Sequence, residues 1–170
     1  MPYRAYHDLA AYNEWANGRL YEAAGRLPDE SYRRACGAFF GSVHGTLNHL
    51  LVADRIWMDR FQGLNVPMPP LDSILFEEPF ALRCARAAED TRIRAFVETL
   101  DAEALAAEIV YATSSGRAVR QSLASALDHF FNHQTHHRGQ IHCLLTVLAG
   151  RAAAPSLDLI QFQREQPAHA

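Results

Sequence analysis

The chain has 170 residues, 49% of them hydrophobic and 21% charged, which suits a folded domain with its own core and excludes a disordered polymer. Its formal charge is −3 and all 16 basic residues are arginine. The lack of lysine excludes Schiff-base and pyridoxal phosphate chemistry, serine–lysine dyads and the phosphate-binding P-loop, and the scattered arginines give no basic stripe for nucleic acid.

A first helix is expected over about residues 5–27, where Leu9, Asn13, Ala16, Leu20, Ala23 and Leu27 recur at spacings of four and three and Pro28 follows. Asn13 therefore lies among core positions. The opening residues lack the apolar stretch of a secretion signal, and no run of 18 apolar residues occurs anywhere. Both observations predict a cytoplasmic protein with no membrane partner.

A second helix is expected over about 42–62, ending before the loop-forming stretch Gly63-Leu-Asn-Val-Pro67-Met-Pro69-Pro70. Asn48, Arg55, Asp59 and Gln62 share its polar face, and Val43, Leu47, Leu50, Leu51, Ile56, Trp57 and Phe61 form a broad apolar arc. His49 lies toward the edge of that arc, as an ordinary half-buried histidine or as a ligand. His44 reads as a surface or capping residue. Asp54, near the middle of the arc, fits an ion pair with arginine ahead of a metal ligand or an acceptor for an imidazole N–H.

A third helix begins near Pro79 and carries Leu82, Ala85, Ile93, Phe96 and Leu100. Residues 109–113 and 118–121 flank Ser114-Ser-Gly-Arg117 as a short hairpin, and the last helix runs from its N-cap Ser122 to about Gly150. The fold class expected is all-α, a single four-helix bundle domain over residues 1–170 with a short β-hairpin-like insertion before the last helix. Cys36, Cys84 and Cys143 are odd in number and form no Cys-x-x-Cys pair, so they are read as reduced and mostly packed.

Five of the nine histidines fall between residues 129 and 142. At about 100° per residue, His133 and His137 join the apolar stripe of Leu123, Leu127, Phe130, Ile141, Leu144, Leu145 and Leu148. His129 and His136 flank it, and His142 lies further round. Residues four apart stack on one helix face. Two neutral imidazoles in a dry core both need partners, and one divalent cation satisfies them together. A di-iron site would need two Glu-x-x-His motifs, which are absent. A zincin would need glutamate after His133, where Gln134 stands.

The segments Tyr12-Asn-Glu-Trp15-Ala-Asn17-Gly-Arg-Leu, Leu47-Asn-His49-Leu-Leu-Val-Ala-Asp54-Arg-Ile-Trp57, His133-Gln-Thr-His-His137-Arg-Gly-Gln-Ile141 and Pro155-Ser-Leu-Asp158-Leu together resemble the DinB family of damage-inducible four-helix proteins. The resemblance implies a divalent-metal site of one histidine from the second helix and two from the fourth, here His49, His133 and His137. Zinc or nickel is the expected ion, ahead of iron or manganese. It further implies a choice of chemistry, since members of that family transfer low-molecular-weight thiols to electrophiles or isomerise maleylpyruvate with a thiol.

The function expected is a metal-dependent transferase using a small thiol. A metal-dependent hydrolase of a small substrate and a non-catalytic metal-containing stress-response protein are the alternatives. No general base stands out among Asp54, Glu89, His129 and His136. Gln134 and Asn13 are candidates to orient a ligand, though buried amides commonly satisfy backbone groups. Arg138 is expected at the edge of the core stripe, pairing with Asp54 or Asp158 in preference to an acidic substrate. The broad apolar arcs are open to two readings, bundle core or the interface of a homodimer.

Overall fold

The computed structural model describes residues 2–64, 66–113 and 115–166; Met1, Asn65, Ser114, which was expected in the hairpin turn, and residues 167–170 lie outside the described residues. The chain is mostly helical with one two-stranded antiparallel sheet. Four long helices, α1 (Pro2–Ala24), α3 (Val43–Phe61), α4 (Pro79–Glu98) and α6 (Leu123–Ala149), pack in a ring in which α1 and α3 each touch both α4 and α6. The short helices α2 (Asp29–Arg33), α5 (Ala102–Ala106) and α7 (Leu159–Glu165) lie between or after them. Among the described residues, no helix is long and apolar enough to cross a membrane.

Helix starts follow the local chemistry of the chain. The Ser42 side chain accepts from Gly45 N at 3.0 Å and caps α3, and Ser122 does the same for α6 through Ser125 N. Pro79 opens α4 at a position where its missing N–H has no intrahelical partner to lose. Strands β1 (Glu108–Ala112) and β2 (Ala118–Ser122) pair with Val110 opposite Arg120, close to the expected hairpin. The first helix ends at Ala24 rather than Leu27, in a turn through Gly25. Helices α2, α5 and α7 were not expected, because five to seven residues are too few to show a helical period.

The core falls into two large apolar clusters and a small third one of Tyr12, Ala16 and Phe162. One large cluster contains Trp57, Met58, Phe61, Ile93, Val97, Leu127 and Phe130; the other contains Leu20, Leu47, Leu50, Leu51, Leu82, Ile141 and Leu145. On every long helix a buried polar group separates them in the chain: Asn13 and Asn17 on α1, Asp54 on α3, Arg86 and Asp90 on α4, Gln134 and Arg138 on α6. Arg86 Nη1 donates to Asp54 Oδ2, and Arg86 Nη2 lies 3.0 Å from Asp90 Oδ1. Asp90 Oδ1 accepts from Asn13 Nδ2 at 3.1 Å and Asn17 Nδ2 at 2.9 Å, and Arg138 donates to Asn13 Oδ1. One polar layer thereby ties all four long helices together.

Three expectations are corrected here. Arg138 is 2% exposed and bonds to amides, not to Asp54 or Asp158. Asn48 and His44 are buried rather than facing solvent, because residues 71–77 fold back over that side of α3. Cys84 and Cys143 are exposed, on the outer faces of α4 and α6, although all three cysteines are free as expected.

Burial pushes the Arg86 guanidinium down, but Asp90 and Asp54 outweigh it and hold the group charged. The Asp54 carboxyl is raised by burial against the pull of Arg86. Removing one member of such a pair strands the other charge in a medium that solvates it poorly. Asp54→Ala is therefore expected to destabilise the fold by about 3–5 kcal/mol, read as a lower urea midpoint at unchanged slope. An exposed pair such as Arg120–Glu108 should shift that midpoint little when broken.

Candidate metal centre

His49 from α3 and His133 and His137 from α6 meet with one ring nitrogen of each within 4.8 Å of the others. His137 Nε2 lies 3.2 Å from His49 Nε2 and 3.1 Å from His133 Nε2. The three residues named from the sequence are thus brought together. His129, His136 and His142 stand outside the group, as does Asp54, whose carboxylate turns to Arg86.

The outer nitrogens decide the chemistry of the inner ones. His49 Nδ1 lies 2.8 Å from the Leu71 carbonyl, which can only accept, so the proton sits on Nδ1 and Nε2 is a bare lone pair. His137 Nδ1 lies 2.7 Å from Gln140 Oε1, with the same result. Gln140 Nε2 lies 3.2 Å from His136 Nε2, which accepts from it when the His136 proton is on Nδ1. A proton on His133 Nε2 can bridge the contact to His137, but none remains to place between His49 and His137. Two lone pairs facing each other at 3.2 Å repel unless a cation lies between them. The separation is close to the roughly 3.3 Å between two nitrogens that are each about 2.05 Å from a tetrahedral ion.

Each imidazole is held neutral, as a ligand must be. Burial pushes His133 down to about 3, with repulsion from His137 and His49 adding to it. Burial likewise pushes His137 down to about 4 against the opposing bond from Gln140. His49 is lowered by burial, and the Leu71 carbonyl opposes the shift.

The loop supplying the Leu71 carbonyl is fixed by Asn48, one residue before the ligand. Asn48 Oδ1 accepts from Leu75 N at 2.9 Å and Phe76 N at 3.0 Å, and its Nδ2 donates to the carbonyls of His44 and Phe76. His44 adds a 3.0 Å contact from Nε2 to Phe76 O. Neither role was legible in the sequence; the signal available was that both residues sit within five positions of His49 on the same helix. On the opposite side the Phe40 ring stacks on His49 with centroids 3.6 Å apart and planes 14° apart. Gly45 permits this approach, since a Cβ there would lie 2.0 Å from the Phe40 carbonyl oxygen.

A cleft of about 500 Å³ opens beside the cluster, lined by His49, His133, His129, Trp57, Arg60 and Tyr111 among others. Of the acid–base candidates only His129 lines it. Asp54 is bound to Arg86, Glu89 pairs with Arg92 at 3.1 Å and with Arg55 at 3.6 Å, and His136 is exposed. Asn13 and Gln134 are buried in the polar layer rather than presented to the cleft.

A mostly helical chain that presents three convergent neutral imidazoles next to an open cleft is, as a class, a candidate metal-binding protein. The sequence matches the DinB family over residues 1–167, and the chain belongs to that family. It is similar to the protein DinB of Bacillus subtilis (strain 168), 26% identical over 152 residues that cover 87% of this chain and 88% of the relative. No solved structure matches it.

Alanine at His49, His133 or His137 is expected to reduce bound divalent metal from about one ion per chain to near zero. His136→Ala and His142→Ala should retain it by elemental analysis. Gln140→Leu, which leaves all three ligands but frees the His137 ring, should weaken affinity by roughly 10–100-fold. Metal-free protein should also lose stability in acid. The unfolded chain takes up protons as pH falls through 6.5, whereas folded His137 and His133 resist until about 4 and 3, so stability present above 6.5 is lost progressively below it. Thermal melts from pH 7 to 4.5 check this, and His133→Ala/His137→Ala should flatten the dependence.

Proposed function

We propose that this protein binds one divalent ion through His49, His133 and His137 and uses it to transfer a low-molecular-weight thiol to a small electrophile. The observation that carries the reading is the 3.2 Å contact between the Nε2 atoms of His49 and His137, beside an open cleft that His49 and His133 line. Three neutral ligands leave the full charge of an ion unneutralised and a position free, and an ion so held stabilises a thiolate or lowers the pKa of water toward about 7. Imidazole donors suit zinc or nickel ahead of the harder ions. We read the ring of long helices as a four-helix bundle, with the ligands on facing helices at its interior as such bundles build their metal sites. A small-molecule partner and a cytoplasmic setting belong to the same reading.

The residues around the cluster favour the thiol over water. Hydrolysis of an ester or amide is helped by a carboxylate that takes up and returns the proton of the attacking water, and no carboxylate lines the 500 Å³ cleft among the described residues. A thiol needs far less help, because its ordinary pKa near 8.5 already leaves some thiolate at neutral pH. The side chains of Ile56, Trp57, Met68, Pro69 and Leu71 give the cleft apolar walls, which suit an electrophile with an apolar body and keep competing water scarce. His129, whose ring centroid lies 5.8 Å from that of His133 and which lines the cleft, is our candidate to exchange a proton with a departing group.

The test is the cobalt-substituted protein titrated with glutathione, cysteine and bacillithiol. A sulfur-to-metal charge-transfer band, together with metal-dependent loss of thiol to an added electrophile, is the expected result. Metal-dependent hydrolysis of an ester or amide panel with no such band would replace the transferase with a hydrolase. Neither response would leave a metal-containing binding protein without turnover.

A further inference from the structure

Arg34, Arg117, Arg151 and Arg164 are exposed to solvent, whereas Arg60 is half-buried. Arg19, Arg26, Arg33, Arg55, Arg83, Arg86, Arg92, Arg94 and Arg120 each lie within ion-pair distance of a carboxylate, and Arg138 is bound by buried amides. Arg60 has no carboxylate partner among the described residues. Its guanidinium is held between two aromatic rings, 4.7 Å from the Trp57 centroid and 4.5 Å from that of Tyr111. Its Nη2 donates to Ala112 O at 2.9 Å and to Met68 Sδ at 3.2 Å. Nε and Nη1 have no protein acceptor among the described residues.

A half-buried cation fixed by stacking but not neutralised is a binding group waiting for an anion. The aromatic clamp and the Ala112 carbonyl hold the fork still before a ligand arrives, so little side-chain freedom is lost on binding. The location is equally specific. Arg60 lines the cleft that contains His49 and His133, and also a second chamber of about 560 Å³ bounded by the loop after α3 and the hairpin. Asp59, in that second chamber, is engaged by Arg92 at 2.7 Å, so it does not cancel the charge of Arg60.

The surroundings define the ligand class. Trp57, Tyr111, Ile56, Met68 and Pro69 make a flat apolar lining around a single cation. Arg55, the other arginine nearby, faces Glu89 at 3.6 Å, so the site offers one net positive charge and suits a monoanion better than a phosphate dianion. We infer that Arg60 is the anion-binding subsite of the cleft, taking the carboxylate of a small, flat organic acid whose apolar body lies toward His49 and His133. Only the direction in which that body points rests on the metal-site reading above; the anion subsite itself does not.

The experiment compares benzoate with benzamide as probes, followed by tryptophan fluorescence and ligand-observed NMR on the metal-loaded protein, the metal-free protein and the Arg60→Gln and Arg60→Lys variants. Wild-type protein is expected to bind benzoate roughly tenfold or more tightly than benzamide, the size of a charge-assisted hydrogen bond, with the preference fading at high salt. In Arg60→Gln the preference should fall to near one while metal content and the thermal midpoint stay close to wild type. If that variant does not fold, Arg60→Lys decides, since losing the planar fork should weaken benzoate severalfold and leave benzamide unchanged.

Equal binding of the two probes to wild-type protein would overturn the inference. So would an undiminished benzoate preference in the Arg60 variants; if that preference also vanished on metal removal, the carboxylate would be going to the ion, which retires the Arg60 subsite and keeps the metal site. Conversely, an Arg60-dependent preference in a protein that holds no metal would retire the metal reading and leave the subsite standing.

Discussion

The Leu71 carbonyl facing His49 Nδ1 at 2.8 Å is the contact on which the candidate centre depends. By accepting a proton on the outer side of the ring it leaves the inner nitrogen bare. The Gln140 amide does the same for His137, so α3 and α6 present two lone pairs to each other that the protein itself does not reconcile. The carbonyl is in place because Asn48 holds residues 75 and 76 against α3 with both its amide atoms. A buried amide on one turn of a helix thus sets the protonation state of the imidazole next to it, through a loop more than twenty residues further along the chain.

The polar layer below gives that arrangement its register. Asp54 follows His49 by five residues on α3, and Arg138 adjoins His137 on α6. Arg86 and Asp90 on α4, with Asn13 and Asn17 on α1, complete the connection. Apolar side chains alone tolerate sliding, since one leucine packs nearly as well as its neighbour. A buried guanidinium that must meet two carboxylates does not. The layer therefore contributes less through net stabilisation than by penalising every alignment of the four helices in which His49 and His137 fail to meet.

Much of this was legible in the sequence, and the remainder was not for identifiable reasons. The four long helices follow from apolar periodicity with serine and proline at their starts, and His133 and His137 stand out because they interrupt an apolar stripe four residues apart. His49 was less distinct, as a lone histidine at the edge of an arc, and it was the family resemblance that singled it out. Arg86 and Asp90 were missed because charged residues are ordinarily assigned to the wet face of a helix, although they share the phase of Leu82, Ile93 and Val97. Arg138 was placed at the margin for the same reason. Asn48 and His44 appeared polar and exposed because helical phase does not reveal that a loop returns to cover them. The cleft and Arg60 depend on how residues 62–76 and the hairpin fold over α3, a non-local arrangement that no window of sequence contains.

Phe40 carries a consequence for timing. Its ring covers one face of His49 and meets His137 edge-on at 5.6 Å between centroids, and Gly45 lets the backbone pass close enough to put it there. That flank is covered by an aromatic plate, whereas His49 and His133 border the cleft. An ion held by the three imidazoles would then exchange chiefly on the cleft side, and an organic molecule seated there would lengthen its stay.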